Sequence, residues 1–373
     1  MRYVANVVLN DFTNDSRVSK ISKTLEEAKN DVTVIAIHNE GLDEKVVVEG
    51  VQVSRIRLRS RSWSKAKPVQ ILKYLEFLLR CSWRYRKYDV IHCNDLNALP
   101  IGIFVKLLGK KTKLVYDCHE YETEIDSLGL LEKTLRKLVE RALIKFVDSV
   151  ITVSDSIASE YQRLYRITKP ALVLNCPLYY EPPKTNVFRE HFGIRSDQKI
   201  FLYQGGLKAG RGIELLIDSF SGLEDDANVL VVMGYGPLQG LVEGAAQVNR
   251  TVFFQPAVKP DVLLDYTCAA DYGILFYEDT CLYHGYCSPN KIFEYLMAAL
   301  PVLTSDLVEM RRLVEEEGVG VVAEDNSVEG FRNAVRSSLD QDYRSVYENV
   351  LRARRKYCWE EQEKVLLEVY EKL

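Results

Sequence analysis

The chain has 373 residues, 47% of them hydrophobic and 27% charged, with a net charge of −4 at neutral pH. That composition belongs to a soluble globular protein, and the length exceeds one ordinary hydrophobic core and suits two domains. The charge balance carries no global nucleic-acid signature, and no apolar run approaches the ~20 residues of a membrane span.

The opening segment, MRYVANVVLNDF, has too short an apolar run for a signal peptide and turns polar at once. The cysteines, at 81, 93, 118, 176, 268, 281, 287 and 358, show no CxxC or metal-ligand spacing. They are therefore expected to be reduced, in a cytoplasmic chain without a metal site.

Tyr3 to Leu9 is a β-branched apolar run and predicts a buried strand. A polar loop follows, then a helix from Arg17 to Lys29 and a second strand over Val32 to Ile37. This βαβ start predicts an α/β fold with a doubly wound parallel sheet. The first turn lacks the glycine fingerprint of a dinucleotide fold, so this half is not expected to hold a nucleotide. Asp15 and Arg17 in its loop are candidates to face an acceptor; a helix N-cap and a surface charge explain them equally well.

Residues 46–61 alternate, with Val51, Val53, Ile56 and Leu58 set against Arg55, Arg57, Arg59 and Arg61. From 55 to 87 there are eleven Lys or Arg against one acid, Glu76, a local charge of +10 on an otherwise acidic chain. Trp63 and Trp83 fall inside this stretch, and the helix around Ile71 to Trp83 is amphipathic. Such a basic, aromatic-bearing face suits an anionic membrane surface; a solvated mixed face is the alternative.

Val90 to Cys93 is the next strand, followed by Asn94, Asp95 and a helix through Val105. Lys113 to Tyr116 is another, ending in Asp117-Cys118-His119-Glu120. A histidine and acids at the carboxyl end of a parallel strand sit where open α/β sheets place ligands. His119 is one of only five histidines, and taken alone it fits a structural role as readily as a catalytic one. Helices over Glu132 to Phe146 and Asp155 to Arg163 flank a strand at Ser149 to Val153. After Ala171 to Leu174, the segment Pro177 to Thr185 has the composition of an interdomain linker.

The pattern then restarts. A strand at Ile200 to Gln204 runs into the glycine-rich turn Gly205-Gly206-Leu-Lys-Ala-Gly-Arg211-Gly212 and a helix from Ile213 to Phe220. Glycines there permit close backbone approach and exposed amides, and Arg211 adds a cation able to grip phosphate, although glycine turns are also plain structure in such folds. A second glycine turn, Gly234-Tyr-Gly-Pro237, follows the strand Val229 to Met233. Val252 to Phe254, Tyr272 to Phe276 and Val302 to Thr304 are further strands, and Glu278 to Gly285 is expected to be a mobile polar loop.

Tyr286 to Leu300 reads YCSPNKIFEYLMAAL. Ser288 is placed to cap a helix with its hydroxyl and Pro289 to open it. Asn290, Lys291 and Glu294 then share one face, while Ile292, Phe293, Leu296, Met297 and Leu300 mark the buried one, and Pro301 stops the helix. A cation at a helix N-terminus suits a phosphate, and a carboxylate one turn deeper suits a sugar diol. That is the outline of a nucleotide-sugar site; a surface ion pair is the alternative. Cys287 borders the loop with no base identifiable nearby and is expected to belong to the loop's structure. The chain closes on a charged amphipathic helix from Tyr357 to Leu373.

In order and spacing, these pieces resemble glycosyltransferase family 4, the retaining, metal-independent enzymes of the GT-B fold. The carriers are NDFTNDSRVSK, DVIHCNDLNALPIG, YDCHE, ITVSDSIASEY, YQGGLKAGRGIELLIDSF, VMGYGP, SPNKIFEYLMAALPVL and YCWEEQEKVLLEVYEKL. The resemblance covers essentially the whole chain. It implies two Rossmann-like domains facing a central cleft: an acceptor-binding domain over 1–180, a nucleotide-sugar-binding domain over 181–355, and a helix over 356–373 crossing back to the first.

By position, the resemblance places Arg211 on the donor phosphates, Glu294 on the ribose and His119 beside the donor sugar. Gly205, Gly206, Gly212, Gly234 and the run from Tyr286 through Cys287, Ser288, Pro289 and Asn290 fall on the donor side. Asp15, Arg17, Asp95 and Glu120 fall on the acceptor side. Two positions depart from the family pattern: Tyr286 replaces the first of two glutamates, and Gly206 replaces a basic residue. Lys291 is then expected to supply the missing phosphate charge. The implied reaction moves a sugar from a nucleotide donor, a UDP-sugar by family habit, to a cell-envelope glycan or lipid-linked acceptor at the inner face of the membrane, without a cofactor. A nucleotide-sugar epimerase of the same fold and a non-catalytic nucleotide- or glycan-binding partner of another transferase are the rival readings.

Overall fold

Each half of the chain builds a predominantly parallel sheet of its own. The computed structural model describes residues 1–109, 111–124, 128–221, 223, 226–279 and 281–373. They divide into two units, Met1–Val173 with Gln362–Leu373, and Leu174–Glu361.

The first unit holds eight strands: β1 (Tyr3–Val7), β2 (Asp31–Ile37), β3 (Lys45–Val48), β4 (Val51–Ile56), β5 (Val90–Asn94), β6 (Lys113–Cys118), β7 (Ser149–Thr152) and β8 (Ala171–Leu172). Their order is β3-β4-β2-β1-β5-β6-β7-β8. The chain works outward from β1 in one direction and returns beyond it with β5, which places the topological switch point between those two strands. Helices α1 (Ser16–Glu27), α2 (Lys67–Tyr85), α3 (Asp95–Leu108), α4 (Leu130–Leu143) and α5 (Asp155–Tyr165) make the crossovers. At the switch point, buried Asn94 donates to the Asn6 side chain at 2.5 Å and to the Val7 carbonyl at 3.0 Å, tying β5 to β1.

One part of the sequence reading is corrected. The alternation over 46–61 is not continuous: it is broken by a tight turn between β3 and β4, which pair as an antiparallel hairpin with Val48 opposite Val51. The two linking residues, Glu49 and Gly50, both take positive φ, +51° and +91°. This is a two-residue turn whose twist matches the flanking strands.

Arg17 is a second correction. It neither faces solvent nor is available to an acceptor. Its Nε and one terminal nitrogen donate to the two carboxylate oxygens of Asp117, both at 2.8 Å, and the other donates to the Val173 carbonyl at 2.7 Å. Both side chains are buried. The closing helix, Trp359–Glu371, reaches the same network: the Tyr370 hydroxyl lies 2.8 Å from His92 Nδ1, and His92 Nε2 lies 3.6 Å from Asp117.

The second unit has six strands, all parallel: β9 (Lys199–Gly206), β10 (Asn228–Tyr235), β11 (Val252–Pro256), β12 (Tyr272–Leu275), β13 (Val302–Thr304) and β14 (Gly320–Val322), in the order β11-β10-β9-β12-β13-β14. Alternate residues serve two cores. Ile200, Leu202, Val229 and Val231 pack with Phe293 and Leu296 on one face. Phe201, Tyr203, Leu230 and Val232 pack with Phe220 and Phe331 on the other. Burial on both faces explains why these strands read as continuous apolar runs. Among the described residues, no helix is long and apolar enough to cross a membrane.

Burial alone would raise the Asp117 carboxyl pKa, but Arg17 and His92 hold it well below the usual range. Its stabilising share is present above the ordinary carboxylate pKa and lost only as pH falls through the depressed value. Arg17→Met leaves that charge unpaired, and denaturation at pH 7 should show a loss of about 3–5 kcal/mol, with Arg17→Met/Asp117→Leu losing less than the single variant.

Candidate functional site

The residues singled out by sequence fall into two groups, one in each unit. In the second unit the site begins where β9 ends, at Gln204-Gly205-Gly206. Gly205 has φ +122°, and a Cβ there would lie 2.3 Å from Lys291 Cε and 2.8 Å from its Nζ. The lysine therefore lies directly over bare backbone, and any other residue at 205 would displace it. Gly212, at φ +62°, is held equally closely, since a Cβ there would fall 2.0 Å from the Phe276 ring. Gly234 supports the same turn from β10, its α-carbon packed against the Gly205 carbonyl. Gly206 meets nothing within 4 Å.

Two cations converge here. The Arg211 guanidinium stands 3.8 Å from the Tyr277 ring centroid, and Lys291 Nζ stands 4.9 Å from that of Tyr203 and 5.6 Å from that of Tyr277. One terminal nitrogen of Arg211 is enclosed without a hydrogen-bond partner. Burial and then repulsion from Arg211 push the Lys291 ammonium down to about 7, with Glu294 opposing them. An enclosed donor with nothing to donate to, beside an ammonium driven toward neutrality, is a site short of negative charge.

Glu294 lies on the same helix face and is fixed from behind. It accepts from Gln204 Nε2 at 2.6 Å, and Gln204 Oε1 in turn accepts from the Thr267 hydroxyl at 2.8 Å. The helix itself spans Asn290–Met297, and its N-cap is Pro289 in extended conformation with no side-chain cap bond. Ser288 therefore does not cap it, and Pro289 precedes the helix instead of opening it. The helix also stops short of Leu300: Ala299 is left-handed, with φ +61°. The Ile292 amide donates to the Pro289 carbonyl at 3.1 Å, and the helix N-terminus ahead of it carries no side-chain cap.

The expected loop over Glu278–Gly285 includes Thr280, which lies outside the described residues. Part of the rest forms a short helix, Leu282–Tyr286, that carries Tyr286, and His284 Nδ1 lies 2.9 Å from the Glu278 carbonyl. Burial pushes the Cys287 thiol up to about 12, and its Sγ donates to the His284 carbonyl at 3.1 Å, so it is structural and not a nucleophile.

In the first unit, a cleft of about 190 Å³ at the carboxyl edge of the sheet is lined by residues including Asn10, Asp15, Asn94, Asp95, Asn97 and His119. His119 Nδ1 lies 3.3 Å from Asp95 and 3.9 Å from Asp117. Asp95 opens α3 in left-handed conformation, φ +65°, which is costly for a residue with a side chain and concentrates at functional sites. Burial, then Glu122 and Asp117, raise its carboxyl pKa well above the usual value, while burial lowers that of His119 against the pull of Asp117. Both shifts favour the neutral forms.

Asp15 is the N-cap of α1, accepting from the Val18 amide at 3.2 Å and from Asn10 at 2.8 Å, and it also lines the cleft. Glu120 is exposed at the rim and contributes by charge. Sequence reasoning missed Glu122, which accepts from the Leu96 amide at 3.2 Å and is raised by burial to about 7. It also missed Tyr203, Gln204 and Tyr277, although Gln204 directly precedes the glycine turn and Tyr277 directly follows the predicted strand. Among the described residues, no group of three or more His, Cys, Asp or Glu is placed to hold a metal ion.

Two family models match the chain, Glycosyltransferase Family 4 over residues 16–177 and Glycosyl transferases group 1 over residues 198–341. An uncharacterized glycosyltransferase of Methanocaldococcus jannaschii is 25% identical over 364 residues, covering 88% of this chain and 86% of that relative. Sucrose-phosphate synthase from Thermosynechococcus elongatus superposes with TM-score 0.80 at 17% identity, over 100% of this chain and 98% of that one. Anabaena HepE, in complex with UDP and glucose, superposes with TM-score 0.74 at 13% identity over 100% of both chains. These two likenesses establish the fold.

A bound phosphate would restore the Lys291 pKa toward that of an ordinary lysine. Calorimetric titration with a nucleoside diphosphate at pH 8, in buffers of different ionisation enthalpy, should show uptake of close to one proton per ligand, with Kd rising about tenfold per pH unit above pH 7.5. Lys291→Met should abolish both effects.

Proposed function

We propose that this chain, whose two halves match the Glycosyltransferase Family 4 and Glycosyl transferases group 1 models, transfers a sugar from a UDP-sugar to a cell-envelope glycan or lipid-linked acceptor, with retention of configuration and without a metal. The observation that carries this reading is the unsatisfied cation pair at the first turn of the second unit, Arg211 with a buried donor lacking a partner and Lys291 held near pKa 7. A diphosphate supplies the charge that both lack. UDP as the nucleotide is supported by the ligands of HepE.

In the proposed reaction the bond from the anomeric carbon to the diphosphate oxygen breaks. The charge that develops on that oxygen is met by Arg211, Lys291 and the N-terminus of the helix that opens at Asn290, which act electrostatically where other transferases use a divalent cation. The acceptor hydroxyl attacks the same face of the sugar, and its proton passes to the departing phosphate oxygen. The products are the glycoside and UDP, and no protein nucleophile is needed. Glu294, held by Gln204, is assigned to the ribose hydroxyls. His119 with Asp95 is assigned to hydroxyls of the transferred sugar and acceptor.

The basic stretch 55–87 is assigned to an anionic membrane surface. Not all of its charge is free for that purpose. Arg55 is buried, donating to the Asp11 carbonyl at 2.8 Å, and Lys73 donates to the Trp63 carbonyl at 2.8 Å. Arg57 and Arg80 are paired with Glu44 and Glu76, and with Arg59 and Arg84 they line a groove of about 800 Å³ that also includes Glu44, Leu79 and Trp83.

Turnover of UDP-sugars in the presence of EDTA, with the anomeric configuration of the product read by NMR, tests the reading. The expected result is activity without metal and a product of the donor's configuration. Lys291→Ala should lower kcat by about 10²–10³-fold. Unimpaired turnover in that variant would remove Lys291 from the phosphate role.

A further inference from the structure

Helix α4 is turned inside out. Its single buried residue is Glu140, whose carboxylate accepts from the hydroxyls of Tyr116, Tyr161 and Tyr165 at 2.5–2.6 Å. One turn and two turns earlier, Lys137 and Lys133 pair with Glu124. The inward side is thus held by charge and hydrogen bonds. The outward side carries the leucines: Leu130 and Leu131 are each 84% exposed, Leu135 60% and Leu138 58%. A surface helix in water has the opposite arrangement. Single exposed apolar residues need no explanation, but a contiguous row of them does.

The row does not end at α4. Helices α2, α3 and α4 follow β4, β5 and β6 in consecutive parallel crossovers, whose common hand puts them on one face of the sheet. The helices pack in that order, α2 on α3 and α3 on α4. Exposed Phe104, Leu107 and Leu108 continue the apolar row across the end of α3. Ile71, Leu75, Leu79 and Trp83, spaced four apart, carry it along α2. Basic side chains flank the row: Lys106, Arg136 and Arg80 are paired with Asp148, Glu132 and Glu76, and Arg141 and Lys145 near α4 and Arg84 on α2 leave the rim net positive.

We infer that α4 is an interfacial helix that inserts its leucine row into an anionic bilayer, with α3 and α2 alongside and the basic residues at headgroup level. The inference rests on the membrane contact proposed above and names the element that enters the apolar phase, which lies outside the basic stretch 55–87. Charge decides for lipid over a second copy of the chain. A self-complementary contact would bring the same basic rim against itself, whereas acidic headgroups neutralise it. An apolar stripe with basic flanks on a helix too short to span is the pattern of a helix that lies in the interface.

Co-sedimentation of the full chain with vesicles of phosphatidylcholine and phosphatidylglycerol at about 7:3, against phosphatidylcholine alone, tests this. The wild type should bind the acidic vesicles. Leu131→Gln/Leu135→Gln/Leu138→Gln alters only exposed positions, should keep its melting temperature, and should bind about 100-fold more weakly or worse. Leu135→Trp should shift its fluorescence to the blue on the same vesicles. Equal binding by the leucine variant would overturn insertion by α4 and leave the contact to the 55–87 stretch. Absence of wild-type binding would overturn both. A dimer seen by light scattering and abolished in the leucine variant would make the face a copy interface and also overturn the inference. Nucleotide binding, read in the same samples, reports on the donor site separately, so failure of the transferase reading is seen on its own.

Discussion

Arg211 and Lys291 meet at the first glycine turn of the second unit, and each repels the other's charge. Both stand over tyrosine rings, Tyr277 and Tyr203, which bind cations weakly through their faces but cannot neutralise them. The cost appears in the enclosed Arg211 donor and in the depressed Lys291 pKa. Folding alone gives no return for that cost, and a polyanionic ligand does. The surrounding features follow from keeping the pair in place. Gly205 is bare so that Lys291 can lie across it, and Gly212 so that Phe276 can back the turn. Glu294 is held on the same helix face by the Gln204 side chain at 2.6 Å.

The first unit keeps its charge in a different state. Its buried carboxylate, Asp117, is fully paired with Arg17 and approached by His92 and His119. A buried ion pair is expensive unless its hydrogen bonds are made, and the bidentate Arg17–Asp117 pair, with Arg17 also on the Val173 carbonyl, fixes geometry. Here it fixes the carboxyl edge of β6, the edge from which His119 projects, and through Tyr370 it anchors the end of the last helix. The His119–Asp95 pair beside it is driven toward neutrality.

Much of this was legible in the sequence where the signal is local. The two βαβ restarts, the glycine turn and the helix carrying Lys291 and Glu294 follow from periodicity, glycine spacing and a proline before a helix. What failed was nonlocal or ambiguous by face. Arg17 looked like a surface charge because its partner is 100 residues away in sequence. Tyr203 and Tyr277 looked like core strand residues, and they are, but their ring faces also carry the cations. The β3–β4 hairpin was hidden because Glu49 occupies a left-handed position that usually signals Asn, Asp or Gly. Helix α4 shows a helical period in sequence, yet period alone does not say which face points inward; only the three tyrosines around Glu140 reveal that it is the polar one.

The central claim is that the cation pair is the seat of a nucleoside diphosphate. The most direct measurement is the melting temperature with UDP, GDP, ADP and TDP, all in EDTA, for the wild type and for Arg211→Ala. A ligand at about 100 times its Kd stabilises by about 2.7 kcal/mol, a rise of several degrees. The account predicts that rise with one of the four, UDP, and its loss in the variant. No shift with any nucleotide, or a shift that survives Arg211→Ala undiminished, would contradict it.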